Sequence, residues 1–88
     1  VMGVFMVERN LKGISMEALA AAQQAAIAQG RKMTAEGTPI RYIRSTFTPA
    51  DGSCMCLFDA SDVADVTRLN NEARLPYYRV VEALDLTP

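Results

Sequence analysis

The middle of the sequence has the pattern of a β-hairpin. Residues 40–48 alternate between two sets of side chains, and residues 53–59 form a second extended segment. The sequence Pro-Ala-Asp-Gly at positions 49–52 between them is typical of a tight turn, so the two segments are predicted to pair as antiparallel strands. In residues 40–48, the first strand of the hairpin, strict alternation predicts two faces. One is formed by Ile40, Tyr42, Arg44 and Thr46, and the other by Arg41, Ile43, Ser45 and Phe47.

The segment before the hairpin is predicted to hold a strand and a long helix. Residues 4–9 are apolar until their polar end, which is typical of a buried strand. Ser15 is suited to cap the N-terminus of a helix. From there to about position 36, apolar and small residues recur at helical spacing, and Gly37 followed by Pro39 predicts the end of the helix.

A shorter helix and a last strand are predicted after the hairpin. Ser61 is the candidate N-cap of this helix, which is expected to run to about Arg74 and to end before the Leu-Pro pair at 75–76. Residues 77–86 then resemble a strand. One face of that strand is predicted to carry Tyr78, Val80, Glu82 and Leu84.

The order of these elements is strand, helix, strand, strand, helix, strand, the βαββαβ pattern of the ferredoxin-like fold. Because the crossover connections are right-handed, both helices are predicted to lie on one face of a four-stranded antiparallel sheet. A chain of 88 residues has room for one domain of this kind. We therefore expect a single ferredoxin-like α+β domain over residues 1–88.

The first and third strands are apolar on both of their faces. Residues 4–7 read Val-Phe-Met-Val, and residues 54–58 read Cys-Met-Cys-Leu-Phe. Two helices cover only one face of the sheet, and the other would expose a larger apolar patch than monomers usually tolerate. We therefore expect a homodimer in which two sheets pack face to face, as in dimeric α/β barrels.

Composition argues against several classes of partner. The net charge of −1 gives no basic surface for nucleic acid, and no apolar run approaches the ~20 residues of a membrane-spanning helix. The N-terminus shows no basic segment followed by an apolar stretch and a cleavage site, so a cytoplasmic location is expected. The chain's two cysteines, Cys54 and Cys56, are too few for a disulfide framework and are expected to be reduced.

Short segments along nearly the whole chain resemble a family of small bacterial proteins of unknown function, some of which are described as nickel-binding. The segments that carry the resemblance are Phe5-Met6-Val7-Glu8-Arg9, Leu11-Lys12-Gly13-Ile14, Arg41-Tyr42-Ile43-Arg44-Ser45, Cys56-Leu57-Phe58-Asp59-Ala60-Ser61-Asp62, Leu75-Pro76 and Arg79-Val80-Val81. The resemblance implies a ferredoxin-like dimer and the binding of nickel or another divalent metal. Family members commonly offer histidine near the second helix, whereas this chain has none, so its metal ligands would be carboxylates, thiolates, backbone or water.

Six residues are candidates for contact with a ligand in the interior between the two sheets. They are Glu8, Tyr42, Arg44, Cys56, Tyr78 and Glu82. Glu8 is a metal ligand or general base in one interpretation, and in the favoured one it forms an ion pair with an arginine at the sheet edge. One of Tyr77 and Tyr78 is expected to pack at the dimer interface.

The spacing of Cys54 and Cys56 disfavours a shared metal ion. On a regular strand their Cα atoms lie ~6.5–7 Å apart, and a disulfide between them would be strained. We expect both to be apolar wall residues, with Cys56 the better candidate for a functional thiol and Arg44 the cation beside it.

These patterns favour a binding protein over an enzyme. The first hypothesis is a homodimer that holds a small molecule or a divalent metal between its sheets. The alternative is a cofactor-free enzyme, such as an oxygenase or isomerase, with Glu8, Tyr42 and Arg44 as acid, base and anion-orienting groups. A third is an interaction module that recruits another protein through an edge strand or a helix.

Overall fold

The computed structural model describes residues 1–88 and has the predicted order of elements. These are β1 (Gly3–Asn10), α1 (Met16–Ala35), β2 (Ile40–Thr48), β3 (Ser53–Ala60), α2 (Val63–Glu72) and β4 (Arg79–Ala83). The four strands form one sheet in the order β2-β3-β1-β4, and every neighbouring pair is antiparallel. The predicted ferredoxin-like fold is confirmed. No helix combines the length and apolar character that crossing a membrane requires.

The first helix begins where the sequence predicts. The Ser15 hydroxyl accepts a hydrogen bond from the Ala18 N–H at 3.0 Å, which satisfies one of the free donors of the first turn. The helix runs unbroken past Gly30, and Gly37 has a φ of 101° just beyond its end.

The second helix and the last strand differ in detail from the predictions. Asp62, and not Ser61, caps α2, because its carboxylate accepts from the Ala64 N–H at 2.8 Å. The last strand is shorter than predicted because only five pairs join it to β1, the last of them Val4 with Ala83. Beyond Ala83 the chain crosses the sheet toward β2, where Asp85 forms an ion pair with Arg44.

A β-bulge in β2 changes which side chains share a face. Tyr42 is opposite Phe58 and Arg44 is opposite Leu57, so Ile43 is an extra residue in the ladder. The predicted strict alternation is therefore wrong beyond Tyr42. Tyr42 and Ser45 share the face that packs against the helices, whereas Arg41 and Arg44 share the opposite face.

The hydrophobic core lies on the helix side of the sheet. Its fully buried members are Val7, Met33, Phe58, Ala60, Val66 and Leu69. We call the other side the open face. Its centre carries the half-buried side chains of Val4, Met6, Leu57 and Val81.

Candidate functional site

A cavity of about 240 Å³ separates α1 from the sheet. Its walls are mainly apolar and come from α1, β1, β2, β3 and the segments that follow β1 and α2. The lining residues are Arg9, Leu11, Met16, Leu19, Ala20, Ala22, Gln23, Ala26, Tyr42, Ser45, Phe47, Cys54, Cys56 and Leu75. At ~30 Å³ for each water in the liquid, this volume suits a molecule of about eight non-hydrogen atoms.

A row of polar groups crosses the sheet side of the cavity. The Gln23 amide donates to the Tyr42 hydroxyl at 3.0 Å, and the Tyr42 and Ser45 hydroxyl oxygens lie 2.6 Å apart. Ser45 donates to the Cys56 sulfur at 2.9 Å, and Arg9 Nε donates to the same sulfur at 3.4 Å. We call Gln23, Tyr42, Ser45, Cys56 and Arg9 the polar row.

The bulge in β2 assembles this row. It brings Ser45 opposite Cys56 on the helix side, where an unbroken strand would place Arg44. Tyr42 is fixed by its ring, which packs edge-on against the Phe58 ring with centroids 5.6 Å apart. The bulge and the aromatic pair therefore aim both hydroxyl groups at the cavity.

Arg9 is the functional candidate that the sequence patterns did not single out. It is only 4% exposed, and its Nη1 donates to the Pro76 carbonyl at 3.1 Å. The signal was present in β1, because Arg9 shares the period-two face of Phe5 and Val7, which are both buried. The cation next to Cys56 is thus Arg9, and the prediction that Arg44 would fill this role is wrong.

The two cysteines are free and buried, but they lie closer together than strand spacing suggested. Their sulfur atoms are 3.9 Å apart because the side chains lean toward each other. Two thiolates ~2.3 Å from a tetrahedral metal would be about 3.8 Å apart, so the argument against shared coordination from Cα spacing is wrong. The pKa of the Cys54 thiol is raised to about 11, which favours its protonated form. Burial is the larger cause, and the neighbouring Cys56 is the second.

A metal centre needs more donors than this pair supplies. The chain has no group of three or more His, Cys, Asp or Glu side chains placed to hold a metal ion. The guanidinium of Arg9 is in contact with the Cys56 sulfur and would repel a cation bound there. The residues of one chain at this position do not fit a divalent metal.

The structure separates the six predicted ligand-binding residues. Tyr42 and Cys56 line the cavity. Glu8 and Arg44 lie on the open face, where Glu8 forms an ion pair with Arg79 and Arg44 with Asp85. The favoured interpretation of Glu8 as the partner of an arginine at the sheet edge is confirmed.

The other two candidates lie away from the cavity. Tyr78 is 65% exposed just before β4, and its backbone N–H donates to the Glu8 carbonyl at 2.9 Å. Glu82 is opposite Phe5 in the edge strand β4 and is exposed. Tyr77 packs beside the core of its own chain, and its hydroxyl donates to Asn71 at 2.8 Å.

The catalytic arrangement considered for an enzyme is not formed. Its three members were Glu8, Tyr42 and Arg44, but Tyr42 is on the helix side and the other two are on the open face. Acid–base partners must lie within hydrogen-bond reach of one reacting molecule, and the sheet separates these groups. What the cavity offers chemically is an apolar pocket with convergent hydrogen-bonding groups and one cation.

Comparisons with known proteins agree with the fold. The crystal structure of SCO4226 from Streptomyces coelicolor A3(2) superposes with a TM-score of 0.79 at 22% sequence identity, over 96% of this chain and 99% of that one. No curated protein matches the chain. The family model described as "Nickel responsive protein SCO4226-like" matches residues 5–83. The chain therefore belongs to the nickel responsive SCO4226-like family.

Proposed function

We propose that this protein is a homodimeric binding protein that takes a small organic ligand into the cavity between α1 and the sheet. The observation that carries the proposal is the cavity itself, in which apolar walls surround a polar row, the combination typical of ligand sites. Of the expected contact residues, Tyr42 and Cys56 are assigned to the ligand. Each subunit then has its own site on the helix side, and not a site shared between two sheets.

Nickel is the competing ligand because the family description contains it. Nickel and similar ions favour imidazole, thiolate or carboxylate donors in groups of four or more. This chain has no histidine, and its two adjacent thiols are next to a buried guanidinium. These residues support an organic ligand over a metal.

The homodimer is proposed to form through the open face. Met6 lies at the centre of this face, opposite Leu57 on one neighbouring strand and Val81 on the other. Ion pairs surround these apolar side chains, including those of Glu8 with Arg79 and of Arg44 with Asp85. An apolar centre with a charged rim is the usual composition of a protein–protein interface.

Sedimentation equilibrium tests the dimer. We expect twice the chain mass for the wild type and a monomer for Met6→Lys, because the substitution places a charge in the apolar centre. The control is Ala21→Lys, on the exposed side of α1, which should leave the dimer intact. A monomeric wild type at micromolar concentration would contradict this part of the proposal.

Two neighbouring alanines of α1 allow a matched test of the ligand site. Ala22 lines the cavity, whereas Ala21 is exposed and does not. Leucine at position 22 should fill part of the cavity and abolish binding of small organic molecules, while leucine at position 21 should leave binding unchanged. Calorimetric titration of the metal-stripped protein with nickel, zinc and copper is run in parallel.

The outcomes of this test are distinct. Binding of organic molecules that is lost only in Ala22→Leu supports the proposal. Tight nickel binding at fixed stoichiometry, together with no organic ligand, would overturn it. Organic binding that survives in Ala22→Leu would move the site away from the cavity and would also contradict the proposal.

A further inference from the structure

We propose that the ligand is a small organic monoanion, a carboxylate with an apolar body, and that Arg9 binds its charged end. This inference rests on the proposed function, because it names the ligand class of the same cavity. The observation behind it is a buried cation that has no carboxylate partner within the chain.

Arg9 has no acidic partner. The four ion pairs of the chain involve Arg41, Arg44, Arg68 and Arg79. Arg9, at 4% exposed, donates to the Cys56 sulfur and to the Pro76 backbone carbonyl, and no carboxylate contacts it. Charged side chains are rarely buried unless they are paired, so an anion is the expected partner of this guanidinium.

The cavity contains nothing that would repel an anion. No aspartate or glutamate lines it, and Arg9 is its only charged lining residue. Arginine has five N–H donors in a planar fork, and the two bonds already formed leave donors for a carboxylate. A carboxylate fits this fork with two parallel hydrogen bonds, which a neutral amide cannot match in strength.

The hydroxyl groups of the polar row point their hydrogens toward Cys56. Ser45 has one hydroxyl hydrogen and donates it to the Cys56 sulfur, so the short contact with Tyr42 must be a donation from Tyr42 to Ser45. Gln23 in turn donates to Tyr42. Because both hydroxyl hydrogens are committed, the groups left to bind an anion are the second N–H of the Gln23 amide and the guanidinium of Arg9, and only Arg9 carries a positive charge.

The cavity walls determine the chemical character and size of the rest of the ligand. They are formed largely by aliphatic and aromatic side chains, among them Leu11, Leu19, Phe47 and Leu75. A single cation balances a single negative charge, whereas a phosphate dianion would leave a second charge in an apolar pocket. The ligand class is therefore a monocarboxylate of about eight non-hydrogen atoms, the size that suits the cavity.

The test compares matched pairs of probes by calorimetry or ligand-observed NMR on the full-length protein. Hexanoate and benzoate are titrated beside hexanamide and benzamide, which have the same shape and no charge. We expect the carboxylates to bind at least about tenfold more tightly than the amides. Arg9→Met should abolish this preference, whereas Arg41→Met, on the exposed open face, should preserve it.

Arg9→Lys keeps the charge and loses the fork, so it should weaken carboxylate binding without reversing the preference over amides. If Arg9→Met does not fold, the wild-type comparison and Arg9→Lys still decide the question. The inference would be overturned if the amides bound as tightly as the carboxylates. If the Ala22→Leu variant then bound neither, the proposed function would still stand. No binding of any probe would overturn both.

A second measurement tests whether Cys56, rather than a bound ligand, supplies the negative charge beside Arg9. If Cys56 itself neutralised Arg9, the ligand-free protein would show thiolate ultraviolet absorbance at neutral pH that disappears in Cys56→Ser. That result would overturn the inference. We expect no such absorbance.

Discussion

Replacing Gly52 with alanine should destabilise the fold strongly, because the backbone of Lys12 leaves no room for a Cβ atom at this position. It is buried in the turn between β2 and β3 and has a φ of 77°. A Cβ atom added there would lie 2.3 Å from both the N and the Cα of Lys12. The Gly52 carbonyl also accepts from the Leu11 N–H at 2.8 Å, so the turn holds the segment that leads into α1.

The expected loss has three parts. A positive φ costs an alanine about 1–2 kcal/mol. Ordinary Cβ contacts begin at 3.4 Å, so the segment around Lys12 must move by more than an ångström, and forced shifts of this kind cost about 1–3 kcal/mol. That movement breaks the bond from Leu11 to Gly52, at about 1 kcal/mol. We expect Gly52→Ala to lower the free energy of unfolding by about 3–6 kcal/mol.

Gly13 provides the matched control. It has a φ of 82°, close to that of Gly52, but nothing lies within 4 Å of an added Cβ. Gly13→Ala should therefore lose only the backbone part, about 1–2 kcal/mol. Urea unfolding followed by circular dichroism measures both variants, and equal losses would refute the steric argument.

Three further predictions concern the cavity and the open face. The free energy of unfolding should fall as the pH rises from about 9 to about 11, because the folded chain holds the Cys54 proton more tightly; Cys54→Ala should lack this part of the slope. Tyr42→Phe should lower stability by about 1 kcal/mol through the lost hydroxyl, and an unchanged urea midpoint would contradict the polar row. Asp59→Asn should change stability by less than about 1 kcal/mol, since its partner Arg41 is 66% exposed, and a larger loss in urea unfolding would contradict this.

The fold could be predicted from the sequence because the local signals along the chain agreed with one another. The strand pattern of residues 40–48, the turn at 49–52 and the cap at Ser15 each depend on neighbouring residues, and all three are present in the structure, although the alternation of β2 holds only as far as Tyr42. The end of β4 could not be predicted in this way. It depends on how much of β1 remains to pair with it and on the contact of Asp85 with Arg44 across the sheet.

The site was only partly predictable for the same reason. Tyr42 and Cys56 were among the six residues expected to contact a ligand between two sheets, and both line the cavity on the helix side instead. A bulge is visible only in the pairing of two strands, so the placement of Arg44 on the open face, which the extra residue Ile43 causes, could not be predicted from the residues of β2 alone. Arg9 was predictable in principle from the buried face of β1, but an arginine at a strand end resembles a solvated one.

The measurement that tests the central claim most directly is an NMR titration of nitrogen-labelled protein with benzoate, followed through the backbone amide signals. A ligand in the cavity between α1 and the sheet should shift the amides of Gln23, Ser45 and Cys56, which line it. Shifts confined instead to Met6 and Val81 would place the ligand on the open face and contradict the account.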